Sequence, residues 1–146
     1  MRLARAVRFA LLVALSLSAA PRRALAQFIV VVHADNPVAA ISRAELADYM
    51  LGKVSSWPHG AAVVPVDQPV NSRIRQLFSL TVLRQPAAAV RTYWQQQQFA
   101  GRGTTPPQVA SDREVLEFIR RSPGGIGYIT ASAPIQPGTR ALVVVP

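Results

Sequence analysis

Residues 28–32 are Phe28-Ile29-Val30-Val31-Val32, an unbroken run of one aromatic and four β-branched residues. A strand with one face in water alternates apolar and polar residues, whereas a strand covered on both faces is apolar throughout. The run therefore predicts an inner strand of a parallel or mixed sheet. Further strands are predicted at Ala61–Val66, Ile126–Thr130 and Ala141–Val145.

Two capping signals predict helices between these strands. Ser42 and Glu45 have the spacing in which a hydroxyl and a carboxylate each satisfy an unpaired N–H at a helix start, and Ser111 and Glu114 repeat this spacing. The first signal predicts a helix from about Arg43 to Leu51. The second predicts a helix that begins after Ser111 and ends before the Pro at position 123.

Two further helices are predicted to begin at Asn71-Ser72 and at Gln85-Pro86, because Asn and Ser are good N-caps and Pro suits a first helical turn. The element order is then β, α, β, α, α, α, β, β, which predicts a single three-layer α/β/α domain with a mixed sheet. The apolar side is expected to contain Ile74, Leu77, Phe78 and Thr81 in the former helix, and Val90, Tyr93, Trp94 and Phe99 in the latter.

The first 26 residues have the pattern of a secretory signal peptide. Three arginines in the first eight residues precede a mostly apolar run from Phe9 to Ala20, and Ala24-Leu25-Ala26 supplies small residues at the cleavage positions. About 12 apolar residues fall short of the ~20 that span a bilayer, so no membrane span is expected after cleavage. We expect cleavage between Ala26 and Gln27, leaving a periplasmic domain of residues 27–146.

Composition excludes several classes of protein. Of the 16 basic residues, five lie in the first 26 positions; the other 11 are dispersed and face 7 acidic residues, a net charge of +4. This modest charge on an exported chain argues against nucleic-acid binding. The absence of Cys excludes a disulfide framework and a lipid-modified cysteine anchor.

The sequence contains no pattern typical of a metal, cofactor or catalytic site. His33 and His59 are separated in sequence and have no ligand-spaced partner, and no nucleophile, base and orienting group can be assembled. Gly124-Gly125-Ile126-Gly127 precedes a strand, which is the reverse of the order in a phosphate loop. Its glycines are expected to permit a turn and close helix-to-strand packing. We therefore expect a protein that is not an enzyme and has no cofactor.

Three segments, in order, resemble the phosphate-type substrate-binding proteins of ABC transporters. They are Ser42-Arg-Ala-Glu-Leu-Ala-Asp-Tyr-Met-Leu-Gly-Lys-Val-Ser-Ser-Trp57, Asn71-Ser-Arg-Ile-Arg-Gln-Leu-Phe78 and Ser122-Pro-Gly-Gly-Ile-Gly-Tyr128. The resemblance implies the type 2 periplasmic binding protein fold, in which two α/β lobes enclose a cleft. It covers about residues 28–130 and corresponds mainly to one lobe, as in a short single-lobe branch of that family.

The resemblance also implies a position for the anion site. The family motif is Arg, any residue, Asp, any residue, then Ser-Gly-Thr before a helix. Counting back from the Phe of that helix places Ser72 on the family Ser, Arg73 on the Gly and Ile74 on the Thr. Gln68 and Val70 stand where the family has Arg and Asp, so both of those ligands are absent.

The residues themselves predict a site at Asn71-Ser72-Arg73-Ile74-Arg75. A helix start presents unpaired N–H groups and a partial positive charge, so an oxyanion can bind there. The two arginines add guanidinium groups that could replace the missing family Arg. In the alternative interpretation, Ser72 or Asn71 is a simple N-cap and the arginines are solvated, with Asp67 nearby.

These observations predict a periplasmic solute-binding-like protein that recognises a small oxyanion, phosphate by resemblance. Its partner would be an ABC permease or another envelope protein. Because one lobe leaves a bound ion open to water on one side, a homodimer could supply the second wall. The alternative is a single-lobe interaction or scaffold module that has lost its ligand.

Overall fold

The computed structural model describes residues 27–146, so the predicted leader lies outside the described residues. Its centre is a five-stranded mixed sheet in the order β2-β5-β1-β4-β3. No helix within residues 27–146 is long and apolar enough to cross a bilayer. The strands are β1 (Phe28–His33), β2 (Ala40–Ser42), β3 (Val64–Pro65), β4 (Gly125–Thr130) and β5 (Thr139–Val145).

The run at residues 28–32 forms the central strand, as predicted. Val30 of β1 lies opposite Tyr128 of β4 and Leu142 of β5, and both pairings are antiparallel. β2 runs parallel to β5, and β3 runs parallel to β4. Val31 is buried on one face of the sheet and Val30 on the other, which explains why the run shows no polar alternation.

Within residues 27–146, four helices and one π-helical turn cover the two faces of the sheet. The first three helices and the turn share a core with one face, and the fourth helix shares a second core with the other face. This arrangement confirms the predicted three-layer α/β/α class with a mixed sheet. The helices are α1 (Arg43–Met50), α2 (Arg73–Phe78), α3 (Ala87–Phe99) and α4 (Asp112–Arg120), and the π-helical turn is Ser79–Leu83.

The capping signals act as expected at α1 and in part at α4. At α1, the Glu45 N–H donates to Ser42 Oγ (3.2 Å) and the Ser42 N–H donates to the Glu45 carboxylate (2.8 Å). At α4, the Glu114 N–H donates to Ser111 Oγ, but the Glu114 carboxylate accepts from the N–H of Ala110. Each helix therefore starts where its local sequence predicts.

The glycines around β4 permit close packing, as predicted. A Cβ on Gly127 would lie 3.0 Å from a methyl group of Val115, and one on Gly125 would lie 3.1 Å from the Cα of Ile119, both on α4. A Cβ on Gly124 would overlap the carbonyl oxygen of Ala62, at 1.8 Å. The glycine run thus lets α4 and the segment before β3 approach the backbone of β4.

Three details differ from the sequence predictions. The strand predicted at Ala61–Val66 is reduced to β3, a short edge strand in which Pro65 has no N–H to donate. Phe99, expected on the apolar side of α3, is 95% exposed because it lies at the end of the helix. β2 was not predicted, since three residues are too few for a periodic signal.

The buried side of α2 also differs from the predicted stripe. Ile74, Leu77 and Thr81 are only partly buried, whereas Arg75 and Phe78 are buried. The predicted stripe does not contain Arg75, and an unpaired charge is costly to bury. Here the charge has a partner inside the protein, so the helix can turn this side inward.

Candidate functional site

The helix α2 is held against the sheet by an aromatic stack. The ring of Phe78 lies parallel to that of Tyr128 on β4, with centroids 3.9 Å apart and an interplanar angle of 5°. Phe28 on β1 meets both rings edge-on. All three residues are buried, so the stack fixes the position of α2 relative to the central strands.

A buried ion pair lies beside this stack. Nη2 of Arg75 is 3.0 Å from Oδ2 of Asp67, and Arg75 is only 2% exposed. Oδ1 of Asp67 accepts hydrogen bonds from the Tyr128 hydroxyl (2.5 Å) and from the Gln68 N–H (2.8 Å). The loop before α2, the helix itself and β4 are therefore joined at one carboxylate.

Burial governs the ionisation of the two acidic groups in this cluster. It raises the pKa of Asp67, against the opposite effects of the Arg75 charge and the two hydrogen bonds to the carboxylate. Burial also raises the pKa of Tyr128, and the adjacent Asp67 charge raises it further. Nε and Nη1 of Arg75 have no hydrogen-bond partner among the described residues. The guanidinium is thus enclosed and contributes little charge at the surface.

A second polar connection lies at Gln68, the position at which the resemblance places the family Arg. Its side-chain amide donates to Oδ1 of Asp112 (3.0 Å) and to the Tyr128 carbonyl (3.1 Å), and Gln68 is buried. Oδ2 of Asp112 accepts from the N–H of Thr130 (3.2 Å). Gln68 therefore links the loop before α2 to α4 and β4, and its amide points into the protein.

The start of α2 leaves two backbone donors without a partner. The Arg75 N–H donates to Ser72 Oγ (3.2 Å), so Ser72 is the N-cap. The N–H groups of Arg73 and Ile74 lie in the first turn of α2, where the helix has no carbonyl four residues earlier to accept from them. No other residue among 27–146 accepts a hydrogen bond from them. The first turn of α2 contains no acidic residue. This end of the helix is consequently polarised positively and is not neutralised locally.

An open cleft of about 340 Å³ lies against this part of α2. One wall consists of Arg73, Ile74 and Leu77. The other consists of Gln27 and of residues 130–132, where β4 ends and the loop to β5 begins. The lining residues bring one guanidinium, three aliphatic side chains, two side-chain hydroxyls and one amide, and none of them is acidic. Such a surface can accept an anion without opposing charge.

The five predicted site residues separate into three groups. Arg73 and Ile74 line the cleft. Ser72 caps the helix, and Asn71 is exposed outside the cleft. Arg75 is turned to the opposite side, with its side chain paired to Asp67 and its N–H bonded to Ser72. Its guanidinium is therefore engaged within the protein, which differs from the expectation that it faces an anion.

Sequence reasoning missed the second wall of the cleft. Thr130 and Ser132 bring hydroxyls, and Gln27 brings an amide, from segments distant from α2 in sequence. The available signal was the change from an apolar strand to polar residues at Thr130. By itself, this change indicates only the end of a strand and the start of a turn.

The family model for the PBP superfamily domain matches residues 22–143. No curated protein matches the chain. Among solved structures, a protein from Clostridium perfringens, assigned as a phosphate ABC transporter substrate-binding protein and determined with bound phosphate, aligns with 19% identity and a TM-score of 0.63.

Two further solved structures have the same fold. PstS from Borrelia burgdorferi aligns with 19% identity and a TM-score of 0.62, and an ABC-type phosphate transport receptor from Vibrio cholerae with 15% identity and 0.59. Each of the three alignments covers 81% of this chain. The chain spans 44% of the Clostridium protein, 47% of the Borrelia protein and 46% of the Vibrio protein, less than half of each.

Proposed function

Because the chain belongs to the PBP superfamily domain family, we propose that it is a periplasmic solute-binding protein that recognises a small oxyanion. The cleft beside α2 carries this proposal: Arg73, which is exposed, and the hydroxyl-bearing Thr130 and Ser132 line it together, and no acidic residue lines it. Phosphate is the first candidate, since it is bound in the similar Clostridium perfringens structure. The protein acts by binding and release and is not an enzyme.

Two parts of the cleft would hold the oxyanion. The N–H groups of Arg73 and Ile74 point out of the helix start, and the Arg73 guanidinium can donate two parallel hydrogen bonds to neighbouring oxygens. Thr130 and Ser132 supply hydroxyls from the opposite wall. Small-molecule sites usually bury 70% or more of their ligand, so an open cleft on one lobe predicts weak binding by the isolated chain. A second copy or an ABC permease would complete the enclosure.

Titration of the purified protein, expressed with its leader, with inorganic phosphate tests this proposal. We expect heat in calorimetry and a higher melting temperature, because ligand at 100 times its dissociation constant adds about 2.7 kcal/mol to the free energy of unfolding. Arg73→Gln should remove both effects. Arg91→Gln, at an exposed position on α3 outside the cleft, is the matched control and should bind normally. If millimolar phosphate, sulfate and acetate all fail to bind, the proposal is wrong.

A second candidate function is an interaction module that has lost its ligand. Gln68 and Val70 replace two family ligands, and Gln68 is committed to internal hydrogen bonds. In addition, Val143 and Val145 of β5 are 60% and 44% exposed on the α4 side of the sheet. Contiguous exposed apolar side chains mark contact surfaces, and these two valines are neighbours on one face of β5. Native mass spectrometry of the protein from its envelope, beside Val143→Lys, would detect a bound protein partner that the substitution removes.

A further inference from the structure

The cleft beside α2 contains more apolar surface than a site for a bare inorganic ion requires. Ile74 and Leu77 are three positions apart on α2 and form an aliphatic wall next to Arg73. Both are partly buried against the main core, which holds them in place. Ala131 faces them from the other wall. An ion surrounded by water gains nothing from such a wall, whereas an aliphatic group does.

A single guanidinium supplies the side-chain charge of the cleft. Among residues 27–146, Arg73 is the only residue lining the cleft whose side chain is charged. Arg75 is enclosed with Asp67 on the other side of α2, and the position of the family Arg holds the neutral Gln68. One guanidinium in a bidentate contact neutralises one carboxylate.

The volume of the cleft is consistent with a small organic molecule. About 340 Å³ lies at the lower end of the range for pockets that hold such ligands. The cation and the aliphatic wall are adjacent on the same helix, so a ligand that uses both needs its charged head and its apolar part directly connected. Hydroxyls of Thr130 and Ser132 can complete the coordination of the head.

We propose that the cleft selects a monoanionic organic oxyanion, a carboxylate with a short aliphatic chain, over inorganic phosphate. The head lies on Arg73 and the chain lies along Ile74 and Leu77. This inference rests on the proposed function, because it assigns the ligand class of the same site. It differs from that proposal in requiring the aliphatic wall to contribute to affinity.

Calorimetric titration of the full purified protein with acetate, butyrate, hexanoate and inorganic phosphate tests this inference. We expect affinity to rise about two- to fourfold for each added CH₂ group, since each one leaves water for the aliphatic wall. Butyrate should then bind more tightly than phosphate. Leu77→Ala should flatten the dependence on chain length. Leu80→Ala is the matched control, because Leu80 is on the same helical segment, is 59% exposed and lies outside the cleft.

The outcomes separate this inference from the proposed function. A rise in affinity with chain length that Leu77→Ala removes and Leu80→Ala retains supports the inference. Phosphate binding that depends on Arg73, with equal or weaker binding of all three carboxylates, overturns it and leaves the proposed function intact. If no anion binds, both are overturned. Because chain-length dependence is a ratio of affinities within one variant, a loss of stability in Leu77→Ala does not obscure the result.

Discussion

Arg73 and Arg75 stand two positions apart on α2 and have opposite environments. Arg73 is exposed on the wall of the cleft, and no acidic residue lies in the first turn of the helix. Arg75 is buried and paired with Asp67, whose other oxygen accepts a hydrogen bond from Tyr128. One arginine can therefore meet a ligand, and the other stabilises the fold that positions the first.

The difference arises from the partners, because both arginines belong to the same helix. Residues two apart on a helix point to different sides. On the inner side, Asp67 and Tyr128 come from segments 61 positions apart and meet at Arg75. On the outer side, the facing segment supplies hydroxyls and no carboxylate. The role of each arginine follows from what the fold places opposite it.

The largest expected effect comes from removing the inner arginine. Arg75→Met should lower the free energy of unfolding by about 3–5 kcal/mol, because it leaves the Asp67 carboxylate buried without its cation. Urea denaturation measures this loss. Arg73→Met is the control and should change stability by no more than about 0.5 kcal/mol, as is usual at an exposed position.

A double variant separates the ion pair from the packing of the side chains. Adding Asp67→Asn to Arg75→Met removes the stranded charge and retains an oxygen that can accept from Tyr128. Part of the lost stability should return, since replacing both members of a buried pair is less harmful than removing one. If Arg75→Met and Arg73→Met lowered the free energy of unfolding equally, the buried site of Arg75 and the exposed site of Arg73 would not differ in solution.

The contrast also marks the limit of prediction from sequence. The starts of α1 and α4 were predictable because their signals lie within four residues, as at Ser42 and Glu45. The central strand was predictable because a residue run covered on both faces has a distinctive composition. The shortening of the strand at Ala61–Val66 depends on neighbours distant in sequence and was missed.

The candidate site was predictable at one end only. The helix start at Ser72 has a local signature, and two of the five expected residues line the cleft. The burial of Arg75 was not predictable, because it requires Asp67 and Tyr128 to meet in space. The second wall at residues 130–132 was missed for the same reason. Sequence patterns thus indicate candidate donors, and the fold decides which of them remain available.

The free energy of unfolding should also depend on pH through Asp67, the acid paired with Arg75. Burial raises the pKa of Asp67 above its ordinary value of 3.8, so the folded protein holds this proton more tightly than the unfolded chain does. The contribution of Asp67 to stability is therefore fully present below the ordinary pKa and is lost as pH rises through the raised pKa. The slope cannot exceed about 1.4 kcal/mol per pH unit for one proton.

Comparison with Asp67→Asn isolates this contribution. The difference in unfolding free energy between the natural protein and the variant, measured in urea from about pH 3 to about pH 7, should fall as pH rises. Other titrating groups cancel in the difference. A difference that rises with pH would show that the Arg75 charge outweighs burial and holds the pKa of Asp67 below 3.8.

Ser72 lies between the two environments and should affect stability moderately. Ser72→Ala removes the acceptor for the Arg75 N–H and should lower the free energy of unfolding by about 1 kcal/mol. Ser72→Asp keeps an acceptor at the helix start and should restore this stability, while its charge should weaken anion binding in the adjacent cleft. Thermal melts with and without inorganic phosphate measure both effects. If Ser72→Asp changed the unfolding free energy and the affinity for the anion in the same direction, the helix cap and the cleft would not act independently.

The smallest expected effect on stability comes from reversing the outer charge. Arg73→Glu places an acid in the first turn of α2, where the helix has none, and should raise the free energy of unfolding by about 0.3–1 kcal/mol. The same change should abolish binding of any oxyanion, because it puts a carboxylate in the cleft wall. Arg91→Glu, within α3, is the matched control and should leave binding intact. A variant at position 73 that is more stable and does not bind would assign this arginine to a ligand, whereas retained binding would remove it from the site.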